Sequence, residues 1–202
     1  MFYETKNHHG LAHNPFKSLV VPRPIGWVSS QDSAGTVNLA PYSFFNAVAS
    51  EPPTVMFASN GAHSEGSLKD SVKNVQETGE FVCNLATWEN REAMNATSAM
   101  VARSVDEFAL SGLTPVPSNL VKPPRVKESP VHLECTYLQT VELPSDDPAH
   151  PTLVVFGHVV GIHIDDAIIS DGLIDMNVFK PIARLGYFDY SVVDNVFTMK
   201  RP

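Results

Sequence analysis

Two stretches of the chain gather side chains able to grip a small polar molecule. Residues 22–46 read PRPIGWVSSQDSAGTVNLAPYSFFN. There the short donors and acceptors Ser29, Ser30, Asn38, Ser43 and Asn46 are interleaved with Trp27, Tyr42, Phe44 and Phe45. Flat faces for stacking, with hydrogen-bonding groups at their edges, suit a planar polar ligand. The second stretch, SLKDSVKN at 67–74, reads as the start of a helix. A helix start carries unpaired N–H groups and a partial positive charge, and Lys69 and Ser71 would add an ammonium and a hydroxyl there, a combination suited to phosphate. Each stretch also has a plainer reading. Trp27, Phe44 and Phe45 can be core aromatics, and the helix start can be an ordinary surface one. The residues alone leave both open.

Other chemistries find less support. There is no G-x-G-x-x-G opening a helix and no G-x-x-x-x-G-K-[ST], which argues against a Rossmann dinucleotide domain or a P-loop. G-x-S-x-G and H-E-x-x-H are absent too. His8, His9 and His13 crowd the N-terminal arm without nearby Asp or Glu support, so no metal site is expected there. His158 and His163 are expected on opposite faces of one strand, where they could not share a metal. Cys83 and Cys135 are 52 positions apart in apolar runs, which makes neither a metal knuckle nor a redox pair. Two buried free thiols in a reducing cytoplasm is the expectation, with a disulfide as the alternative.

The net charge of −8, from 14 basic and 22 acidic residues, opposes nucleic-acid binding, which wants a basic face. The first residues lack the apolar core of a secretory signal, and no apolar run approaches the ~20 residues of a membrane span. A cytoplasmic protein with neither nucleic-acid nor membrane partners is expected.

The elements that must position these groups are mostly strands. Sixteen prolines in 202 residues favour short strands and irregular connections over long helices, and the length suits one domain spanning 1–202. Residues 1–20 read as an extended arm with a turn around His13–Phe16. The runs 25–28 and 36–40, separated by a polar loop ending in Gly35, predict a hairpin. A third strand is expected over 54–59, then a Gly- and Ser-rich loop and a helix capped by Ser67, with Asp70 completing a capping box and Gly79 as the stop. A strand at 80–86 would follow as a crossover unit on the sheet edge. Short helices are expected near 88–100 and over 105–110, the second capped by Ser104 and ended by Gly112. Residues 114–130, with five prolines, read as irregular surface connection. A half-buried strand over 131–143, a long strand over 152–164 with bulges or close packing at Gly157 and Gly161, and a last strand over 183–193 complete the chain. The expected fold is mainly β with flanking helices (α+β), a Greek-key barrel.

Taken together, the ordered segments resemble the flavin reductase-like family of FMN-binding split-barrel proteins. They are PRPIGWVSS (22–30), NLAPYSFFN (38–46), EPPTVMF (51–57), KDSVKN (69–74), GEFVCNLA (79–86), VDEF (105–108), SPVHLEC (129–135) and ARLGYFDY (183–190). The resemblance implies a Greek-key split β-barrel, a homodimer with flavin near the subunit interface, and an NAD(P)H:flavin oxidoreductase. By that resemblance Trp27, Val28, Ser29 and Ser30, with Asn38, Ala40, Pro41, Tyr42, Ser43 and Asn46, would hold the isoalloxazine and ribityl chain of FMN. Lys69, Asp70, Ser71 and Asn74 would sit at its phosphate, with Ser59 and Asn60 behind them. NADH or NADPH would pass hydride to the flavin, and free flavin, a partner oxygenase or another acceptor would take the electrons. No side-chain acid or base is then needed, and no catalytic residue is named. Reductases of two-component monooxygenases often carry Gly-Glu-Val where this chain has Gly157-His158-Val159. That departure resembles the flavoredoxin-like branch, whose implied activity is electron carriage by tightly bound FMN. A non-catalytic flavin-binding module is a further alternative.

Overall fold

The computed structural model describes residues 1–60, 68–147 and 151–202. After the single helical turn α1 (Phe16–Leu19) come the two-residue strand β1 (Arg23–Pro24) and the hairpin β2 (Gly26–Gln31) with β3 (Val37–Tyr42). Asp32 builds the hairpin turn, its Oδ1 accepting from Ala34 N and Thr36 N at 2.9 and 2.8 Å. A second hairpin pairs β4 (Phe45–Ser50) with β5 (Pro53–Ser59). Helix α2 (Asp70–Thr78) precedes β6 (Glu80–Leu85), and the short helices α3 (Arg91–Ala96) and α4 (Glu107–Ser111) follow. The small pair β7 (Pro115–Val116) and β8 (Arg125–Val126) leads to the long strands β9 (Val131–Leu143) and β10 (Thr152–Ile164). The hairpin β11 (Ile169–Ser170) with β12 (Leu173–Ile174), the turn α5 (Met176–Phe179), and the hairpin β13 (Ile182–Arg184) with β14 (Tyr190–Val192) close the chain.

Seven strands form one antiparallel sheet in the order β3-β2-β6-β9-β10-β5-β4. The sheet curls so that Tyr42 on β3 meets Phe57 on β5, ring centroids 4.8 Å apart. Inside lie Val28, Phe45, Val55, Phe57, Phe81, Cys83, Cys135 and Val155, and Val72 and Val75 of α2 close the barrel. A second core of Trp27, Leu39, Met94, Phe108, Val126 and Ile182 packs on the outer face of β2 and β3 beneath α3 and α4. The result is the mainly β, Greek-key split barrel with flanking helices that the sequence predicts. Among the described residues no helix is long and apolar enough to cross a membrane.

Several expectations change. Helix α2 starts at Asp70, with Lys69 as its N-terminal cap residue, and Ser67 lies outside the described residues. Gly79 and Gly112 end their helices as expected, at φ +75° and +69°. The cap of α4 is Asp106 rather than Ser104: its Oδ1 accepts from Phe108 N and Ala109 N. Strand β6 lies between β2 and β9, inside the sheet rather than at an edge, and antiparallel to both. β4 is a strand for which the sequence reading gives no element. The expected last strand is a hairpin, because the chain reverses at Gly186–Asp189 with Tyr187 at φ +55°.

The stretch 114–130 is more than surface connection. Val126 and Ser129 are buried, and the segment covers the polar face of β9. There Glu134, fully buried, accepts hydrogen bonds from Asn119 N, Leu120 N and Val121 N, and its Oε1 lies 2.5 Å from His163 Nε2. The β9–β10 ladder shifts register at Phe156/Gly157 and at Val159/Gly161, so the expected bulges are present. A Cβ on Gly157 would stand 2.3 Å from Phe81 Cζ, which is the close packing predicted for it. The second bulge also overturns an expectation. His158 lies opposite Thr136 and His163 opposite His132, so Val160 as the extra residue puts both histidines on one face. Cys83 and Cys135 are free and buried, and burial pushes the Cys135 thiol up.

Candidate functional site

A cavity of about 260 Å³ opens where β3, the end of β5 and the start of α2 meet. Strand β3 turns Asn38, Ala40 and Tyr42 to this side because its other neighbours, Leu39 above all, belong to the second core. Asn38 Nδ2 donates to Ser71 Oγ at 2.8 Å, tying the strand to the first turn of the helix. The Tyr42 hydroxyl hydrogen-bonds with Ser71 and Ser59, and burial pushes it up to about 12, so it stays protonated and can donate. Glu107 of α4 closes the back, its Oε2 accepting from Leu39 N at 3.2 Å. Burial raises its carboxyl, and Asp70 and Asp106 push it further. The outer wall is the segment 97–101, anchored at Thr97, whose Oγ1 accepts from Trp27 Nε1 at 2.9 Å.

One end of the cavity carries Lys69, which has no ion pair among the described residues. Asp70 lines it as well, with its Oδ1 held 2.5 Å from Arg103 Nη1. At the start of α2, Val72 N and Lys73 N both donate to the carbonyl of the cap residue Lys69, at 3.0 and 3.1 Å. At the other end, Lys17, Pro41, Ser43 and Ser98 are shared with a cleft of about 630 Å³, walled by Arg23, Arg184, Tyr187, Phe188 and Tyr190. The arrangement joins an end bearing Lys69 and the start of α2 to a half-open aromatic cleft.

Residues 18–183 match the family described as flavin reductase like domain. This chain belongs to that family. An uncharacterized protein of Aquifex aeolicus is 42% identical over 169 residues, 83% of either chain. Nitrilotriacetate monooxygenase component B from Bacillus cereus superposes with a TM-score of 0.83 at 30% identity, covering 96% of this chain and 100% of that one. Flavoredoxin of Desulfovibrio vulgaris superposes with a TM-score of 0.74 at 21% identity over 98% and 97% of the two chains, which shows the shared fold. The resemblance read from the ordered segments therefore holds, and family membership makes the protein a flavin-related oxidoreductase.

Within this flavin reductase-like barrel the expected site residues fall into three groups. Asn38, Ala40, Pro41, Tyr42, Ser43, Asn60, Lys69, Asp70 and Ser71 line the cavity. A second group lies behind it. Trp27, Val28, Ser29 and Ser30 are fully buried, because β2 is paired on both edges and covered on both faces. Ser29 Oγ donates to Pro124 O at 2.5 Å, Ser30 Oγ accepts from Asn74 Nδ2 at 3.2 Å, and Ser59 is buried under Tyr42. These side chains support the wall rather than line it. Asn46 stands apart, exposed opposite Met56 on the outer face of the barrel.

Sequence reasoning missed Lys17, Glu107, the wall 97–101 and Arg103. Glu107 stands in the sequence at the end of a Ser104–Glu107 capping-box pattern and in the VDEF segment, neither of which marks it as a lining residue. Thr97 and Ser98 are small hydroxyl residues at the end of a predicted helix, a weak but readable signal. Nothing local marks Lys17 or Arg103, whose positions depend on residues far along the chain.

Proposed function

We propose that this protein binds FMN and acts as an NAD(P)H-dependent flavin reductase. The observation that carries the reading is the cavity with Lys69 and the first turn of α2 at one end and an aromatic cleft at the other. The residues fit the cofactor: the Lys69 ammonium, without an ion pair among the described residues, the positive end of α2 and the Ser71 hydroxyl suit a phosphate, while Asn38 and Tyr42 offer polar edges for the chain beyond it. A volume of about 260 Å³ is below the usual ~300–1,000 Å³ of a ligand pocket, so the ring system is assigned to the adjoining cleft. When bound, flavin would supply the redox chemistry, hydride transfer from a reduced nicotinamide and electron release to an acceptor. The protein's task is to hold the phosphate, orient the ring and keep neutral donors such as Tyr42 in place. The kinship with a monooxygenase component supports a partner oxygenase as acceptor, and the free thiols suit a reducing, cytoplasmic setting.

The test is the absorption spectrum of freshly purified protein, followed by steady-state oxidation of NADH and NADPH with added FMN. Turnover with either nicotinamide is expected; none from flavin-loaded protein would sink the reductase assignment. A second reading, a flavoredoxin-like carrier with tightly bound FMN, is favoured by His158 in place of the reductases' Glu. It predicts a yellow protein that is reduced only by another protein.

Lys69→Ala is expected to weaken FMN binding by roughly 1.5–3 kcal/mol through loss of one charge-assisted contact, measured by titration. We also assign a homodimer. Met56 and Phe156, paired across β5 and β10, and Val141 beside Val154 make an apolar strip on the outer barrel face. A second copy covering it would bring Asn46 to the interface. Light scattering should give twice the chain mass, and Phe156→Glu should return the monomer.

A further inference from the structure

We infer that Arg103 sets the preference of the cavity for a phosphorylated flavin by neutralising Asp70 from behind. The inference rests on the FMN assignment above. Arg103 does not line the cavity. It sits on the far side of α2's first turn, with Nη1 2.5 Å from Asp70 Oδ1 and Nη2 2.8 Å from Asn74 Oδ1 and 3.5 Å from Asp32 Oδ2. Asn74 is itself held by Ser30, and Asp32 by the turn it caps, so the guanidinium is clamped from three directions. Such a fork is a geometry Lys cannot reproduce.

The reason such a clamp is needed is electrostatic. Asp70 is favourable for the helix alone, since a carboxylate in the first turn meets the positive end of the dipole. For a phosphate entering the same end it is a like charge, and it would offset the ammonium of Lys69. With Arg103 paired to Asp70, the Asp70 charge is offset and the Lys69 ammonium is left to meet the phosphate, without a second cation placed in the ligand's path. Partial burial of the pair (side chains 32% and 13% exposed) keeps solvent from screening the effect away. Arg103 is thus a positioning residue acting through Asp70.

The test titrates wild type, Arg103→Met, Arg103→Lys and the double variant Arg103→Met/Asp70→Asn with FMN and with riboflavin, following flavin fluorescence; circular dichroism first checks that each variant is folded. Wild type is expected to prefer FMN. Arg103→Met should weaken FMN by about tenfold or more while riboflavin changes by no more than about twofold. Arg103→Lys should keep part of the preference, and removing the Asp70 charge in the double variant should restore most of it. Equal loss of both ligands would make Arg103 merely structural and overturn the inference, as would an unchanged FMN-to-riboflavin ratio or no recovery in the double variant. Wild type that binds riboflavin as well as FMN overturns the phosphate assignment itself. Wild type that prefers FMN, with the ratio unmoved in Arg103→Met, overturns only the role of Arg103.

Discussion

Glu134→Ala is expected to destabilise the protein by about 3–5 kcal/mol, read from urea unfolding. The carboxylate is completely buried on the outer face of β9, yet its oxygens are saturated. Asn119 N and His163 Nε2 bond Oε1, and Leu120 N at 2.6 Å and Val121 N at 3.2 Å bond Oε2. Removing it strands three backbone donors under a segment that also buries Val121 and Val126, and unsatisfied buried groups cost more than the bonds contribute. Glu134→Gln keeps the volume but turns an amide donor toward donors, so it should recover only part of the loss.

The same region makes acid the weak side of the stability curve. Burial, above all, pushes His132 down to about 4, against about 6.5 in an unfolded chain. Protons then bind the unfolded state first, so stability is full above about pH 6.5 and falls as pH drops towards 4. For Glu134, burial works to raise the carboxyl, but the amides of Asn119 and Leu120 and the neighbouring His163 outweigh it and leave it lowered. Its contribution is present above about pH 4.3 and is lost as pH falls through the lower folded value. Glu134→Ala should keep the first decline and lose the second. An acid limb identical to wild type would show that the carboxyl is not held charged.

What could be read from the sequence divides along the same line between local and distant causes. The β2–β3 hairpin and the helix stops at Gly79 and Gly112 are local events, encoded by Asp32 with Gly35 and by left-handed glycines, and they appear where expected. The alternation of β9 gives the strand but not its environment. His132 and Glu134 look like a solvent face until residues 114–126 fold over them. One extra residue in β10, Val160, moves His163 to the face of His158, and no period-two reading can anticipate it. At the site, the lining of β3 and the start of α2 was legible because hydroxyl, amide and lysine side chains announce themselves. Burial of Trp27–Ser30 was not, because it follows from β2 having a strand on each edge and a core on each face. Arg103 joins the site only through partners 29 to 71 residues away.

Trp27 decides how far that supporting layer reaches into function. Trp27→Ala should cost about 3–5 kcal/mol, the usual loss for a large buried ring, because it empties the centre of the second core against Leu39, Met94 and Phe108. That effect alone would say nothing about ligand binding. Trp27→Phe is the informative variant. It keeps most of the apolar contact but removes the indole N–H that bonds Thr97 Oγ1 in a fully buried position. The expected cost is about 1–3 kcal/mol, leaving the protein folded at room temperature. Thr97 begins the wall 97–101, and among the described residues its hydroxyl is otherwise tied only to Met94 O. With the indole bond gone the wall is held less firmly, and FMN affinity should fall several-fold although Trp27 itself reaches no cavity surface. Thr97→Val removes the same bond from the other side. If the two act through it, the double variant should lose no more FMN affinity than either single one. FMN affinity equal to wild type in folded Trp27→Phe would reduce Trp27 to a core aromatic and confine the site to the residues that line the cavity.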